Sequence, residues 1–221
     1  MEKYFFNQNE IGLDEAGRGP LIGNVYAGAV IWDPELKPPD GLITDSKKLS
    51  VKKRKLALEW IKQNIKYYGV GFATNEEIDK INILEATKLA MDRAIDNLKT
   101  NATAIDNLNS NAKAVDNLNS KVTAKNNLII DGTGWEKKFT NYNVKSIVKG
   151  DSKYYSIAAA SILAKEYHDE HILELCSKDP SLNEKYSLAS NMGYASAKHI
   201  QGIKEHGYTI LHRKSFKLKC L

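Results

Sequence analysis

Only two cysteines, Cys176 and Cys220, occur in the 221 residues, too few for a disulfide framework. No Cys/His set has the spacing of a zinc site. No apolar run approaches the roughly 20 residues needed to span a bilayer, and Met1 to Phe6 lack the basic-then-apolar layout of a secretory signal. These absences predict a protein of a reducing compartment, cytoplasmic or else nuclear, without a membrane segment. They also leave the Asn101-Ala102-Thr103 sequon without meaning, because glycosylation needs secretion. The length suffices to bury a sizeable core as a single domain. A net charge of +5 with 32 basic residues suits a polyanionic partner without identifying one.

What the chain does have is a pair of adjacent carboxylates at the end of an apolar run, Ile11-Gly12-Leu13-Asp14-Glu15-Ala16-Gly17-Arg18-Gly19-Pro20-Leu21. Acids on a short strand cannot be buried ionised without a counter-charge, and a divalent cation held by hard oxygen ligands supplies one. Gly17 and Gly19 have no Cβ, so a ligand could approach the backbone around Arg18 closely. Taken alone, the stretch reads equally well as an ordinary turn with solvated acids.

The chain alternates strand and helix. Ile11 to Asp14 and Asn24 to Trp32 read as strands, the second ended by Pro34, Pro38 and Pro39. Ser50 is placed to cap a helix reaching about Asn64, with Leu56, Trp60 and Ile61 on one side. Lys66 to Thr74 is the next strand. Asn75 then opens a helix as its N-cap, continued by Ile81, Leu84, Ala90, Met91 and Ala94. Further strands end at Asp131 and near Val148, and helices follow. Ala158, Ala159, Ala160 and Ser161 offer a small-residue face for close packing on the sheet.

Asp131 closes the run Asn127-Leu128-Ile129-Ile130-Asp131-Gly132, and Asp151 lies in Val148-Lys149-Gly150-Asp151-Ser152-Lys153, just ahead of the helix Ser156 to Lys165. With the Asp14 to Pro20 block, the Asp45-Ser46-Lys47-Lys48-Leu49 block and the terminal His212-Arg213-Lys214-Ser215-Phe216, these stretches make the chain closely resemble the type 2 ribonucleases H. Lys214 stands where that family has a second arginine. The resemblance covers most of the chain. It implies an α/β fold of the ribonuclease H type: a mixed sheet flanked by helices, with a helical C-terminal extension over residues 180–221. It also implies an endonuclease, acting as a monomer, that cuts the RNA strand of RNA/DNA hybrids and single ribonucleotides embedded in duplex DNA, leaving 5'-phosphate and 3'-hydroxyl ends.

The resemblance assigns metal binding and catalysis to Asp14, Glu15, Asp131 and Asp151. Hydrolysis of a phosphodiester needs an activated water, neutralised phosphoryl oxygens and a stabilised leaving oxygen, and two divalent ions about 4 Å apart can supply all three. Mg²⁺ or Mn²⁺ suits an all-oxygen ligand set. By the same resemblance Gly17, Arg18 and Gly19 read the ribose 2'-hydroxyl, Lys47, Lys48 and Lys153 contact phosphates, and Tyr186 stacks near the RNA to DNA junction. Asp45 and Ser46 hold a turn, and Phe216 is a packing anchor. The family's glycine- and histidine-rich surroundings of the tyrosine have drifted here to Ser187-Leu188-Ala189 and Ser190-Asn191-Met192-Gly193. His199 receives no role. In His168-Asp169-Glu170-His171, histidines three apart predict a solvated helix face. Asp169 reads as structural, with His168 replacing an arginine usual in the family.

One segment departs from the family. A ten-residue unit recurs as Ala94-Ile95-Asp96-Asn97-Leu98, Ala104 to Leu108, Ala114 to Leu118 and a decayed Ala124 to Leu128, where type 2 enzymes connect helix to strand more directly. Ten residues fall about 0.8 residue short of three helical turns, so an apolar stripe rotates roughly 80° per copy and cannot stay on one core face. Residues 99–125 therefore read as a partly helical surface insert within a single catalytic domain, 1–221, or else as a docking arm. Two other functions compete with the nuclease. A binding module that has lost catalysis sits badly with four retained acids. A junction resolvase leaves the Gly-Arg-Gly and Lys-Lys blocks unexplained.

Overall fold

The computed structural model describes residues 1–6, 10–108 and 127–218, with residues 102–108 as backbone only. Five strands, β1 (Ile11–Ala16), β2 (Val25–Ile31), β3 (Tyr67–Ala73), β4 (Asn127–Asp131) and β5 (Asn143–Ile147), form one sheet in the order β3-β2-β1-β4-β5. β1, β2 and β3 pair antiparallel, whereas β1, β4 and β5 run parallel, so the sheet is mixed as expected. Six helices accompany it among the described residues: α1 (Val51–Asn64), α2 (Asn75–Leu108), α3 (Tyr155–Lys178), α4 (Pro180–Tyr186), α5 (Leu188–Asn191) and α6 (Ala197–His206). None is long and apolar enough to cross a membrane.

The sheet is buried on both faces, which is why β2 reads as a nearly continuous apolar run. α2 covers one face, where Ala90, Met91, Ala94, Ile95 and Leu98 meet Ile11, Leu13, Ala27 and Ile130. α3 and α1 cover the other, where Ala158 to Ala160, Ile162 and Leu163 pack with Val30, Ala57, Leu58 and Ile61. The small-residue face does what its composition suggests. A Cβ on Gly28 of β2 would lie 2.3 Å from the Ala160 carbonyl oxygen, so the helix backbone rests directly on the strand. α4 to α6 and the C-terminal segment gather a smaller core around Leu21, Ile22, Ile172, Leu182, Tyr186 and Ile203.

Several local expectations need correction. Ser50 does cap α1, accepting from Lys53 N, but Leu56 is 56 % exposed and the buried stripe is Arg54, Ala57, Leu58 and Ile61. At 100° per residue Leu56 lies about 200° around the helix from Leu58. Thr74, not Asn75, caps α2. Its hydroxyl accepts from Glu77 N at 3.2 Å while the Glu77 carboxylate accepts from Thr74 N at 2.9 Å, a reciprocal capping box. Asn82 then interrupts α2 with φ 69°, and its side chain caps the resumed helix by accepting from Leu84 N and Glu85 N. The break resets the helical phase, and Leu84 is exposed.

The first copy of the repeated unit belongs to the core, since Ala94, Ile95 and Leu98 are buried. Along the same helix, Arg93, Asn97 and Asn101 donate to the carbonyls of Phe72, Val70 and Tyr68, at 2.8, 2.7 and 3.4 Å. Side chains four residues apart thus cover the outward carbonyls of alternate residues on β3, an outer strand of the sheet. The helical backbone continues through the second copy to Leu108. The third copy, Ala114 to Leu118, and the start of the fourth, Ala124 to Asn126, lie outside the described residues, as does Cys220.

Candidate active site

The acids converge from three segments. Parallel pairing of Leu13 with Ile130 sets Asp14, within β1, beside Asp131 at the end of β4. Asp131 Oδ1 accepts from Gly150 N at 2.7 Å, which draws in the single turn Gly150–Ser152 that carries Asp151. Asp14 and Asp151 are buried, and Glu15 Oε2 is buried without a hydrogen-bond partner among the described residues. Burial, reinforced by the Glu15 and Asp131 charges, pushes the Asp14 carboxyl well above the usual carboxylate range. Burial also raises Glu15 against the pull of Arg18. Asp151 is raised to about 6 by burial and by the charges of Asp131 and Asp45. The cluster therefore carries more negative charge than the protein neutralises. That imbalance, and the unpartnered Glu15 oxygen, fit hard divalent cations. No three His, Cys, Asp or Glu side chains among the described residues close into a ready-made metal cage.

Cations of the protein rim the acids. Burial lowers Lys47, but Asp14, Asp151, Asp45 and Asp131 outweigh it and hold the ammonium above its ordinary value. Lys47 sits in a 3-10 turn, Ser46–Lys48, that Asp45 caps by accepting from Lys47 N, and Ser46 Oγ meets Ser161 Oγ of α3 at 2.8 Å. Asp45 and Ser46 thus hold the turn. Lys48 reaches across to Ser152 Oγ at 2.9 Å. Arg18 Nη1 donates to Glu15 Oε1 at 3.2 Å.

A cavity of about 350 Å³ opens beside Glu15, walled by Gly17, Arg18 and Gly19 on one side and by Lys47, Lys165 and Tyr194 on the other. Gly17 is required twice over: its φ is +89°, and a Cβ there would lie 2.4 Å from His168 Cδ2. The turn is held from behind by Arg213, which is completely buried. Its Nη2 donates to the carbonyls of Gly17 (2.7 Å) and Asn24 (3.0 Å), its Nη1 to Arg18 (3.1 Å) and its Nε to Gly23 (2.9 Å). Burial lowers this guanidinium to about 10, which leaves it cationic at neutral pH. Phe216 packs beneath it, with the guanidinium carbon 5.1 Å from the ring centroid.

Lys153 is exposed outside the cavity lining, its carbonyl accepting from Glu2 N. Tyr186 is a correction. It is 1 % exposed, lies in the C-terminal core and donates its hydroxyl to the Gly207 carbonyl at 2.9 Å, so it has no face to offer a nucleotide. Tyr194 is the aromatic at the cavity, 42 % exposed, with its ring against Gly19. The signal was in the sequence: the Gly193-Tyr194 pair ahead of His199.

The His168 to His171 run is likewise not a solvated face. His168 is fully buried, and burial lowers its pKa below the ordinary value. Asp169 is structural, as read, bonding His168 Nδ1 at 3.0 Å, Lys165 Nζ at 2.7 Å and Arg54 Nη2 at 3.1 Å, while Arg54 Nε pairs with Glu166. Sequence reasoning missed Arg54.

Comparison with known proteins identifies the family. A family profile described as Ribonuclease HII matches residues 11–219. The chain belongs to the ribonuclease HII family. The ribonuclease HII of Phocaeicola vulgatus is 42 % identical over 209 residues, covering 95 % of this chain and 89 % of that protein. Among solved structures, the ribonuclease H2 of Pyrococcus horikoshii OT3 superposes with a TM-score of 0.62 at 24 % identity, over 94 % of this chain and 93 % of that one. Bst-RNase HIII in complex with Mn²⁺ gives 0.58 at 19 % identity, over 94 % of this chain and 66 % of that one. The two likenesses bear on the fold. Family membership makes the protein a metal-dependent endoribonuclease that cleaves the RNA strand of RNA/DNA hybrids.

Proposed function

We propose that Asp14, Glu15, Asp131 and Asp151 hold Mg²⁺ or Mn²⁺ and that cleavage takes place beside them. The observation that carries this reading is the excess of buried carboxylate charge, with Asp14 raised well above its usual range, next to a cavity with a cationic rim. When bound, divalent cations supply an activated water and neutralise charge on the phosphoryl and leaving oxygens. The chain's own residues do the rest. Lys47 and Lys48 take phosphates on one side of the acids, and Lys153 takes a phosphate farther along the duplex. The Gly17-Arg18-Gly19 turn, fixed by Arg213, presents main-chain groups to a ribose 2'-hydroxyl, the atom that distinguishes RNA from DNA. Tyr194 fills the nucleotide-facing role that Tyr186 cannot.

On this reading single ribonucleotides in duplex DNA are substrates as well as long hybrids, because one 2'-hydroxyl suffices for recognition. The products carry 5'-phosphate and 3'-hydroxyl ends. The enzyme is a cytoplasmic monomer and one catalytic domain. Residues 180–221 form its C-terminal extension, and residues 99–125 an insert whose first turn still reaches β3 through Asn101. Incubating a labelled duplex carrying one ribonucleotide, with and without Mg²⁺ or Mn²⁺, tests the proposal. Metal-dependent incision at the ribonucleotide, leaving 5'-phosphate and 3'-hydroxyl ends, is expected, and tight binding without incision would overturn it. A protein lacking residues 109–123 should keep its turnover, since a shorter connection changes closure entropy only slightly.

A further inference from the structure

Two histidines that play no part in the chemistry above face each other in the C-terminal core. His199 on α6 and His212 in the segment beyond it are both fully buried, and their Nε2 atoms lie 3.1 Å apart. A contact of that kind between neutral imidazoles needs one donor and one acceptor. The outer partners decide which is which. The main-chain N–H of Thr209 can only donate and lies 2.9 Å from His212 Nδ1, so that nitrogen is unprotonated and His212 carries its proton on Nε2. The carbonyl of Tyr194 can only accept and lies 3.0 Å from His199 Nδ1, so His199 carries its proton there and its Nε2 accepts. The two assignments start from opposite ends and agree at the shared contact. Burial, the leading cause in both, lowers both pKa values, that of His212 to about 4, and keeps the rings neutral.

We propose that Thr209 N–H, His212, His199 and the Tyr194 carbonyl form a hydrogen-bond relay of fixed direction, in which His212 fixes the tautomer of His199 and His199 is the positioning residue that sets Tyr194 at the cavity. The proposal rests on the assignment of Tyr194 as the nucleotide-facing aromatic. The peptide it holds has a left-handed glycine on its N-terminal side, Gly193 at φ +80°, a backbone that needs fixing. The Tyr194 carbonyl uses its second lone pair on Ser196 N at 2.8 Å, the residue that caps α6. The residue after His212 is Arg213, which grips the carbonyls of Gly17 and Arg18 on the opposite wall. Two consecutive residues of one segment thus tie down both sides of the opening, and its width follows from where that segment sits. The segment is itself anchored to α2, because Asp79 accepts from Lys214 N at 2.9 Å and Ser215 N at 2.8 Å.

The first measurement uses the unaltered full-length protein. Long-range ¹⁵N–¹H correlation of the imidazoles should show His199 as the Nδ1–H tautomer and His212 as the Nε2–H tautomer; the opposite tautomer at either ring, or averaging between them, would overturn the relay. The second uses two variants of similar bulk. His199→Asn keeps an amide donor near the place of Nδ1, whereas His199→Gln carries its amide near Nε2 and loses the donor to Tyr194. On a duplex with one ribonucleotide, KM should rise about tenfold for His199→Gln with kcat within about twofold, and stay within about threefold of wild type for His199→Asn. Equal effects from both would mean simple packing and would overturn the positioning role. A Tyr194→Ala protein with wild-type KM would overturn the assignment of Tyr194 and, with it, the functional half of the relay. Wrong tautomers in a protein whose Tyr194→Ala variant is impaired would overturn the relay alone.

Discussion

α3 passes two buried clusters of charge one to two turns apart, and the protein treats them in opposite ways. Around Lys165, Glu166, His168 and Asp169, Arg54 and Lys165 face the carboxylates. Burial alone would raise Asp169, yet its hydrogen bonds to His168 and Lys165 outweigh this and leave it below the usual value. Near Ser161, Asp14, Glu15, Asp131 and Asp151 press together with their pKa values raised where they shift. A folded protein can satisfy buried acids, and this one does so a few residues away. The cluster it leaves unsatisfied is the one that opens into the cavity, where cations and a phosphodiester can arrive.

That contrast can be broken by exchange. Asp14→Asn removes one of the mutually repelling charges with little change of shape. It should reduce cleavage about a thousandfold, given the several kcal/mol that a two-metal site contributes to the transition state. The metal-free protein should nevertheless melt higher than wild type. Turnover on a hybrid and a melting curve in chelator check both, and a lower melting temperature would show that the acid cluster is internally balanced after all. Arg54→Met should do the reverse. Stranding Glu166 should destabilise the fold by about 3–5 kcal/mol, read by denaturant unfolding, with residual activity following the folded fraction.

The remaining predictions sharpen the comparison with smaller effects. Tyr194→Ala should lower the rate on a single-ribonucleotide duplex relative to a long hybrid by about tenfold, because base stacking contributes roughly 1–3 kcal/mol. Tyr186→Phe should leave that ratio unchanged and lower stability by about 1 kcal/mol, through the lost bond to the Gly207 carbonyl. The last effect, comparable in size to that of Tyr186→Phe, is that of pH. Asp151 titrates near 6 when folded against an ordinary 3.8, so between these values the native state binds more protons than the unfolded one. Its stabilising contribution is complete below about pH 4 and lost as pH rises through 6. In chelator the melting temperature should fall by roughly 3–5 °C between pH 5 and 7.5. Millimolar Mg²⁺ should flatten the slope, because a cation favours the ionised acids.

Much of this was legible in the sequence because it is local. The capping serine of α1, the alanine face of α3 and the strands bearing Asp14 and Asp131 are each signalled within a few residues, although β1 runs two residues beyond Asp14. What stayed hidden depends on partners far away in the chain. Arg54 reads as one more lysine-like residue until the fold brings Glu166 to it, 112 positions later. His168 looked solvated on spacing alone, but Gly17 of a distant turn covers it. Tyr186 and Tyr194 lie eight residues apart in a drifted stretch, and only the packing of α4 to α6 says which one faces inward.

The row of side chains along α2 that caps β3 also bears on how this gene can change. Asn97 and Leu98 commit the first copy of the ten-residue unit to the sheet, through the Val70 carbonyl and the apolar core. At the far end, β4 takes its register from β1 and β5, whatever the length of chain that leads into it. Between these two fixed points, gaining or losing a copy of the unit should cost closure entropy that grows only with the logarithm of the connection's length. The position of Asp131 is indifferent to the count. Length variation there should therefore leave turnover on a hybrid unchanged, whereas a single change at the residues that bracket it should not.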